Sequence, residues 1–181
     1  VIVMGSFLPD TTIILREAFQ LGAKVKWIIP GWAANPQLIK ALGNEATEGV
    51  ISVDSVSNEQ SASFTSFDTA HRKRQSQPGA SNVYAAMTYD MVITLALAIE
   101  AAGQGADINL INSKIREIAN PPGDKVFSFT EGKAALRAKK KINYEGASSV
   151  LDFDEFGDVT PDFGVFFITS GQLERRYVVK I

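Results

Sequence analysis

The sequence has 181 residues and a formal net charge of −2, with 45% hydrophobic and 21% charged residues, which allows one large domain or two small lobes with a packed core. The near-neutral charge disfavours a nucleic-acid-binding protein, because such proteins are usually basic overall. The absence of cysteine and the single histidine exclude disulfides, thiolate chemistry and a zinc site built from histidines.

The first 32 residues predict a β-strand, an α-helix and a second β-strand. Val1–Met4 is a continuous apolar run, typical of a strand buried on both faces, and Gly5-Ser6 ends it. Apolar residues then recur at helical spacing up to Gly22. Lys24–Ile29 predicts the second strand, which stops at Pro30-Gly31. Such a unit has parallel strands and a right-handed crossover.

The carboxyl ends of these two strands form a candidate binding edge. In open parallel sheets, ligands bind beyond the carboxyl ends of the strands. Here those ends are Gly5-Ser6-Phe7 and Pro30-Gly31-Trp32. Each has a glycine that permits close approach and an aromatic ring against which a ligand can lie. Phe7 and Trp32 are therefore candidate ligand-binding residues, with packing in the core or at its rim as the alternative.

The same signals predict the later elements. Asn35-Pro36 starts a short helix and Gly49–Val53 is a third strand, so the opening order is βαβαβ. Asp54–Ser66 is rich in Ser, Asn and Glu and indicates a connection into another region. The further predictions are helices at Phe64–Gln75, Val83–Ala102, Leu110–Ile118 and Thr130–Lys139, strands at Val150–Phe153, Phe163–Thr169 and Arg175–Ile181, and irregular segments at Lys125–Phe129 and Ile142–Ser149.

The segment Val83–Ala102 is apolar on nearly every side, a pattern typical of a helix that is deeply buried or spans a membrane. Asp90 near its middle and its many alanines favour burial between other elements. A half-buried carboxylate needs hydrogen-bond donors. Asp90 is therefore predicted to tie elements together rather than to act in catalysis.

The motifs for catalysis or metal binding are incomplete. Asp152, Asp154 and Gly157 begin like a calcium loop, but Phe156 and Phe163 stand where oxygen ligands belong. The sequence has no phosphate loop and no nucleophile elbow, and the single histidine lies at a predicted helix end. These observations favour binding over enzymatic activity and predict neither a cofactor nor a metal.

Several short motifs, in their order and spacing, resemble the second half of type I periplasmic binding proteins, the solute receptors of branched-chain amino-acid ABC transporters. The resemblance covers nearly the whole chain. The motifs that carry it are Gly5-Ser6-Phe7-Leu8-Pro9-Asp10, Leu21-Gly22-Ala23-Lys24-Val25, Ile29-Pro30-Gly31-Trp32, Glu48-Gly49-Val50, Tyr84-Ala85-Ala86-Met87-Thr88-Tyr89-Asp90, Ala119-Asn120-Pro121-Pro122-Gly123, Ile142-Asn143-Tyr144-Glu145-Gly146-Ala147-Ser148 and Phe153-Asp154-Glu155-Phe156-Gly157-Asp158-Val159.

The resemblance implies an α/β fold with two lobes, each a Rossmann-like parallel sheet with flanking helices, of which this chain is an incomplete C-terminal portion. It assigns residues 1–53 to the second lobe, residues 54–160, mainly helical, to the first lobe, and residues 161–181 to the second lobe again. It also implies a solute-binding protein, not an enzyme, that delivers a small polar ligand (an amino acid, an amide or an aromatic acid) to an ABC permease. The implied location is periplasmic or extracellular. Anchorage of the protein to a membrane through an N-terminal lipoprotein signal, absent from this sequence, is compatible with that location.

The resemblance also implies a set of ligand-binding residues: Ser6, Phe7, Gly31, Trp32 and Tyr84. Phe7 falls at an aromatic wall position of the family, and Tyr84, at the start of the long helix, falls at another aromatic contact. Gly31 falls where some branched-chain receptors have a glutamate that pairs with the ligand ammonium. Because this sequence departs from the family there, amino-acid specificity is open, and the adjacent Trp32 can instead offer its ring face to a cation or its edge to an apolar group. The partners of a ligand carboxylate are expected in the missing first half.

Two other functional classes fit the same fold: the sensor lobe of a receptor or regulator, and an enzyme of flavodoxin-like architecture. An isolated half of a two-lobed protein would also expose apolar sheet and helix faces, notably on the helix Val83–Ala102. Exposed patches of this kind recruit other chains. The sequence therefore predicts that this chain alone associates into an oligomer and binds its ligand weakly.

Overall fold

The computed structural model describes residues 1–180, which form two compact units, one made of Val1–Ser55 and Phe163–Lys180 and the other of Val56–Asp162. The helices are α1 (Leu8–Gln20), α2 (Pro36–Leu42), α3 (Asn44–Thr47), α4 (Ala62–Gln75), α5 (Val83–Ala102), α6 (Ile108–Ala119) and α7 (Phe129–Arg137). The strands are β1 (Ile2–Val3), β2 (Trp27–Pro30), β3 (Ile51–Ser55), β4 (Asp124–Val126), β5 (Ile142–Tyr144), β6 (Phe163–Thr169) and β7 (Gln172–Val179). Ile181, the end of the last predicted strand, lies outside the described residues.

The first unit is a five-stranded sheet in the order β1-β2-β3-β6-β7. The first three strands are parallel, so the predicted βαβαβ unit is confirmed, and β6 and β7 add to it as an antiparallel pair. Because β1, β2 and β3 run in the same direction, their carboxyl ends lie at one edge of the sheet. Ser6, Gly31 and Asp54 stand at or just beyond those three ends.

The core of the first unit joins the sheet to α1 and α2. Leu15 and Leu38, one from each helix, pack with the strand residues Ile29 and Ile168, and each of the four side chains is at most 1% exposed. Both helices begin with proline in the first turn, and Asn35 caps α2 through two backbone amides. The helices are thereby fixed at the same edge as the strand ends, because each starts within a few residues of them.

Strand β1 differs from its prediction, which placed it as a strand buried on both faces. It is an edge strand with a partner on one side only, and Val1 and Val3 are 82% and 77% exposed. The apolar composition of this segment is typical of a central strand. Among residues 1–180, however, no element covers it.

The second unit packs four helices around a small parallel sheet of β4 and β5. Its core includes Leu97, Ile118, Ile142 and Tyr144, all at most 1% exposed. Two predictions fail here, because Asp124–Val126 and Ile142–Tyr144 are paired strands rather than irregular segments. The short length of each strand, three residues, leaves too little alternation for a sequence pattern to show.

The predicted strand Val150–Phe153 is absent from the described structure. Leu151 has a positive φ of 60°, which interrupts extended backbone, and the amide of Phe153 donates to the Asn120 side chain instead of to a neighbouring strand. The predicted helix from Thr130 instead begins at Phe129, because Ser128 accepts a hydrogen bond from the amide of Glu131 and is the residue that caps it.

Helix α5 is buried on one side only, so the predicted burial between other elements holds for one face, and the exposed apolar face predicted for an isolated half is confirmed on the other. Asp90, Thr94 and Leu97 face the interior, whereas Met91 and Val92 are 70% and 62% exposed. By length and composition alone, α5 is apolar enough to cross a membrane, with 28% of its apolar window buried within the structure. Its inward face is nevertheless built for packing in a globular unit, as the contacts of Asp90 show.

Asp90 is 1% exposed and accepts four hydrogen bonds. The Tyr144 hydroxyl and the Ala147 amide donate to Oδ1 at 2.9 Å, and the amide and hydroxyl of Ser148 donate to Oδ2 at 2.6 Å. Burial and the neighbouring Asp90 carboxylate raise the pKa of Tyr144 well above its usual range, so its hydroxyl stays protonated as a donor. The predicted structural role of Asp90 is therefore confirmed.

Candidate functional site

Three of the sequence candidates meet at the carboxyl edge of the parallel sheet in the first unit. The indole Nε1 of Trp32, just after β2, donates a hydrogen bond of 3.1 Å to the backbone carbonyl of Ser6, just after β1. This bond joins the ends of two neighbouring strands across 26 residues of chain. Trp32 is thereby held at the edge although 48% of its surface is exposed.

Phe7 lies beside Trp32. The two ring centroids are 6.5 Å apart with an angle of 40° between the ring planes, a distance at which aromatic pairs attract each other. Phe7 is 72% exposed, so neither ring is a core residue. A pair of large apolar rings that faces solvent at a strand-end edge is a surface on which a ligand can stack.

The loop that presents Phe7 is fixed by polar contacts. The Ser6 hydroxyl lies 2.6 Å from the Thr11 hydroxyl in the first turn of α1, and the carbonyl of Phe7 accepts the Thr11 amide at 2.9 Å. Phe7 itself is the N-cap residue of α1 in an extended conformation. Ser6 therefore holds the turn and binds Trp32 through its backbone, while its side chain faces α1.

Gly31 is packed against Asp54, at the end of β3. An ideal β-carbon on Gly31 would lie 2.0 Å from Asp54 Oδ2, so no residue with a side chain fits there unless Asp54 moves. The Gly31 amide donates to the carbonyl of Val53 at 3.2 Å, which continues the β2–β3 ladder to this point. The carboxylate of Asp54 thus occupies the space that a side chain at position 31 would need.

Asp54 lies at the same edge of the sheet and is not among the residues that the sequence indicates. It is half-buried, and burial raises the pKa of its carboxyl above the usual range, although hydrogen bonds from Ser55 lower it in part. Asp54 begins the segment Asp54–Ser66, whose many Ser, Asn and Glu residues indicate a connection and not the end of a strand. The available signal was its position directly after the apolar run of the third parallel strand, equivalent to the positions of Ser6 and Gly31.

Tyr84, the remaining candidate, belongs to the second unit. It lies in the first turn of α5, whose N-cap Asn82 accepts a hydrogen bond from the Ala85 amide, and it is 46% exposed. The structure thus brings Ser6, Phe7, Gly31 and Trp32 together in one unit. The membership of Tyr84 in the same site stays a prediction.

The other motifs behave as structural features. In the segment that begins like a calcium loop, Oδ1 of Asp154 accepts hydrogen bonds from the amides of Asp158 and Phe156. These hydrogen bonds hold the pKa of Asp154 below its usual range. His71 lies against the Phe67 ring and within 3.0 Å of the Gln77 carbonyl. Within residues 1–180, no group of three or more His, Asp or Glu side chains is placed to hold a metal.

The second unit also contains an open apolar groove of about 480 Å³. Met87, Met91 and Leu95 from α5 form one wall, and Leu151 and Phe153 form part of the other. Three of its polar side chains, those of Asp90, Ser148 and Ser149, already accept or donate hydrogen bonds within the unit. The groove is therefore an uncovered packing surface more than a polar recognition site.

Comparison with known proteins connects this geometry to a family. The family described as "Receptor family ligand binding region" matches residues 1–171. A leucine-, isoleucine-, valine-, threonine- and alanine-binding protein of Pseudomonas aeruginosa is 27% identical over 163 residues, which cover 90% of this chain and 36% of that protein. The chain thus spans about a third of the length of this curated relative.

Solved structures show the same fold. A leucine-binding protein, LivK, of Thermotoga maritima matches with a TM-score of 0.72 and 23% identity over 98% of this chain and 44% of that one. A branched-chain amino acid transporter substrate-binding protein, LivJ, of Streptococcus pneumoniae in complex with isoleucine matches with a TM-score of 0.65 and 16% identity over 99% of this chain and 44% of that one. The predicted fold class, part of a type I periplasmic binding protein, is thereby confirmed.

Proposed function

Because this chain belongs to the family of receptor ligand-binding regions, we propose that it is part of a solute-binding protein that holds a small polar ligand for uptake by an ABC permease. The observation that carries the proposal is the exposed Phe7–Trp32 pair at the carboxyl ends of two parallel strands. Phe7 and Trp32 are 72% and 48% exposed, so a large part of both rings faces solvent and not the core of the unit. They suit a ligand that brings its own apolar surface.

The proposed ligand-binding residues are Ser6, Phe7, Gly31, Trp32 and Tyr84. Phe7 and Trp32 would stack against the ligand, and Ser6 would position Trp32 through its carbonyl. Tyr84, in the first turn of α5, would contribute a third aromatic ring. The amino-acid-binding relatives favour an amino acid, an amide or an aromatic acid as the ligand class.

The proposed lobes are residues 1–53 with 161–181, the second lobe, and residues 54–160, the first lobe. The two compact units, Val1–Ser55 with Phe163–Lys180 and Val56–Asp162, differ from these boundaries by two residues at each crossing. Since the chain spans 36% to 44% of the length of its relatives, the rest of each proposed lobe would come from sequence outside this chain.

The relatives are binding proteins, which supports a role without catalysis for this chain. They also support a periplasmic or extracellular location and an ABC permease as partner. A second function, as a ligand-sensing domain of a receptor or regulator, is favoured by one observation, namely that the matching family is described as a receptor ligand-binding region. Both functions need the same ligand site.

A thermal-shift panel on the complete gene product tests the proposal. Amino acids, amides and aromatic acids are added singly at millimolar concentration, and the melting temperature is measured. A ligand at 100 times its Kd stabilises the native state by about 2.7 kcal/mol, which raises the melting temperature by several degrees. A panel in which no compound raises it would contradict solute binding. Coupling to a permease, tested by uptake in a deletion strain, distinguishes transport from sensing.

A further inference from the structure

Asp54 is a half-buried carboxylate without a cationic partner among residues 1–180. A hydrogen bond to its carboxylate comes from Ser55, whose amide donates to Oδ1 at 2.9 Å. Because Ser55 is the next residue, this bond does not link the carboxylate to another element. A charge that is partly removed from water costs free energy unless an opposite charge or several donors compensate for it. The hydrogen bonds from Ser55 offset this cost for Asp54 only in part.

The residues on either side of Asp54 in the sheet are glycines. On β6 its register partner is the buried Gly164, and on the β2 side Gly31 is so close that an added β-carbon would lie 2.0 Å from Oδ2. Both neighbours lack a side chain, so none from these positions shields or pairs with the carboxylate. The two glycines thus leave room for the carboxylate of Asp54 between the neighbouring strands.

The carboxylate shares its edge of the sheet with two exposed aromatic rings. Trp32 follows Gly31 directly in the sequence, and its ring pairs with that of Phe7. Aromatic faces attract cations, and carboxylates attract them more strongly. An ammonium group has three N–H donors available to carboxylate and carbonyl oxygens.

We propose that Asp54 is a ligand-binding residue whose carboxylate pairs with a cationic group of the solute, and that Gly31 determines this specificity by leaving space for the carboxylate. The inference rests on the proposed solute-binding function. It assigns the charge recognition to β3 and the apolar recognition to Phe7 and Trp32. The alternative, a purely local role of Asp54 as acceptor for Ser55, would make binding indifferent to its charge.

Matched ligand pairs that differ by one ammonium group test the proposal. The probes are L-leucine with 4-methylpentanoate, L-phenylalanine with 3-phenylpropanoate, and 4-aminobutyrate with butyrate, each measured by melting shift and calorimetry on the complete gene product. We expect the wild type to prefer an ammonium-bearing member at least tenfold over its partner. Asp54→Asn, which keeps the shape, should remove that preference and leave the affinity for the deaminated member within twofold.

Two further variants separate charge from folding. Glu45→Gln removes an exposed carboxylate elsewhere in the same unit and should change neither affinity. Gly31→Asp combined with Asp54→Gly moves the carboxylate to the neighbouring strand and should restore part of the preference that Asp54→Gly alone removes. This rescue does not occur if Asp54 acts only by holding the turn.

The ligand pairs separate failure of this inference from failure of the proposed function. Wild-type affinity of Asp54→Asn for an ammonium-bearing probe would overturn the inference and leave the proposed function intact. Binding of only the deaminated probes by the wild type would also overturn the inference alone. The absence of any melting shift with all six probes, and with the wider panel of amides and aromatic acids, would contradict the proposed function and this inference together.

Discussion

Gly31 and Asp54 occupy one space at the carboxyl edge of the sheet: a β-carbon on Gly31 would lie 2.0 Å from Oδ2 of Asp54 and 2.4 Å from its Cγ. The glycine is needed because of the carboxylate, not because of its own backbone angles, since Gly31 is not among the glycines with positive φ. In the sequence, Gly31 looks like a turn glycine, but in the structure it packs against the side chain of Asp54.

This pairing predicts the effect of adding one methyl group. Gly31→Ala should destabilise the protein by roughly 1–3 kcal/mol, because the added carbon must displace the Asp54 side chain. Gly5→Ala is the matched control, since nothing lies within 4 Å of its β-carbon position. Denaturant unfolding of both variants measures the difference. Equal stability of Gly31→Ala and Gly5→Ala would show that Asp54 moves aside without cost.

The half-buried carboxylate of Asp54 predicts a stability that depends on pH. Burial raises the pKa of Asp54 above its ordinary value of 3.8, so the folded state binds this proton more tightly than the unfolded state. The stability contributed by that proton is present below the unfolded pKa and is lost as the pH rises through the folded pKa. Asp54→Asn should therefore melt at a higher temperature than the wild type at neutral pH without ligand, with a difference that closes in acid. A lower melting temperature at neutral pH would contradict this sign.

The Asp90 network predicts a large loss of stability. Asp90→Ala leaves the Tyr144 hydroxyl, two amides and the Ser148 hydroxyl without their acceptor inside the second unit. We expect a cost of about 3 kcal/mol or more, since each buried donor left unsatisfied costs about 1–3 kcal/mol. Asp107→Ala, which removes the N-cap of α6, should cost only about 1 kcal/mol. Urea unfolding of the two variants compares them, and similar midpoints would contradict the network's importance.

The uncovered face of α5 predicts association of the 181-residue chain. Met91, Val92 and Leu95 are 70%, 62% and 47% exposed, and they form part of a continuous apolar side of the helix. Sedimentation of the isolated chain should show an oligomer. Met91→Glu with Leu95→Lys should shift it toward the monomer, whereas the same charges at Asn109 and Ser113 on α6 should not. A monomeric wild-type chain would show that this face does not drive association.

The sequence predicts the βαβαβ order of the opening unit well. Its strands are apolar runs, its helices have apolar residues at helical spacing, and glycine or proline marks where these elements end. The pair of exposed aromatic residues at its strand ends was also predictable, since parallel strands place their carboxyl ends together. Long-range packing was not predictable. The apolar run of β1 indicates a central strand, yet its faces are uncovered within residues 1–180.

Asp54, the residue proposed to recognise charge, was not predicted from the sequence. Its importance depends on two glycines, Gly31 and Gly164, that are distant in sequence and meet it only through strand register. No local pattern reports such a contact. The short strands β4 and β5 were not predicted for a related reason. Their pairing with each other, and not their own composition, makes them strands.

The most direct test of the central claim is calorimetric titration of the complete gene product with a compound that raises its melting temperature. If Phe7 and Trp32 hold the ligand, Trp32→Ala should weaken binding more than tenfold, a loss of about 1.4 kcal/mol or more. Phe156→Ala, which removes an aromatic ring that is 82% exposed in the second unit, should leave the affinity unchanged. Wild-type affinity of the Trp32→Ala variant would contradict ligand binding at this edge.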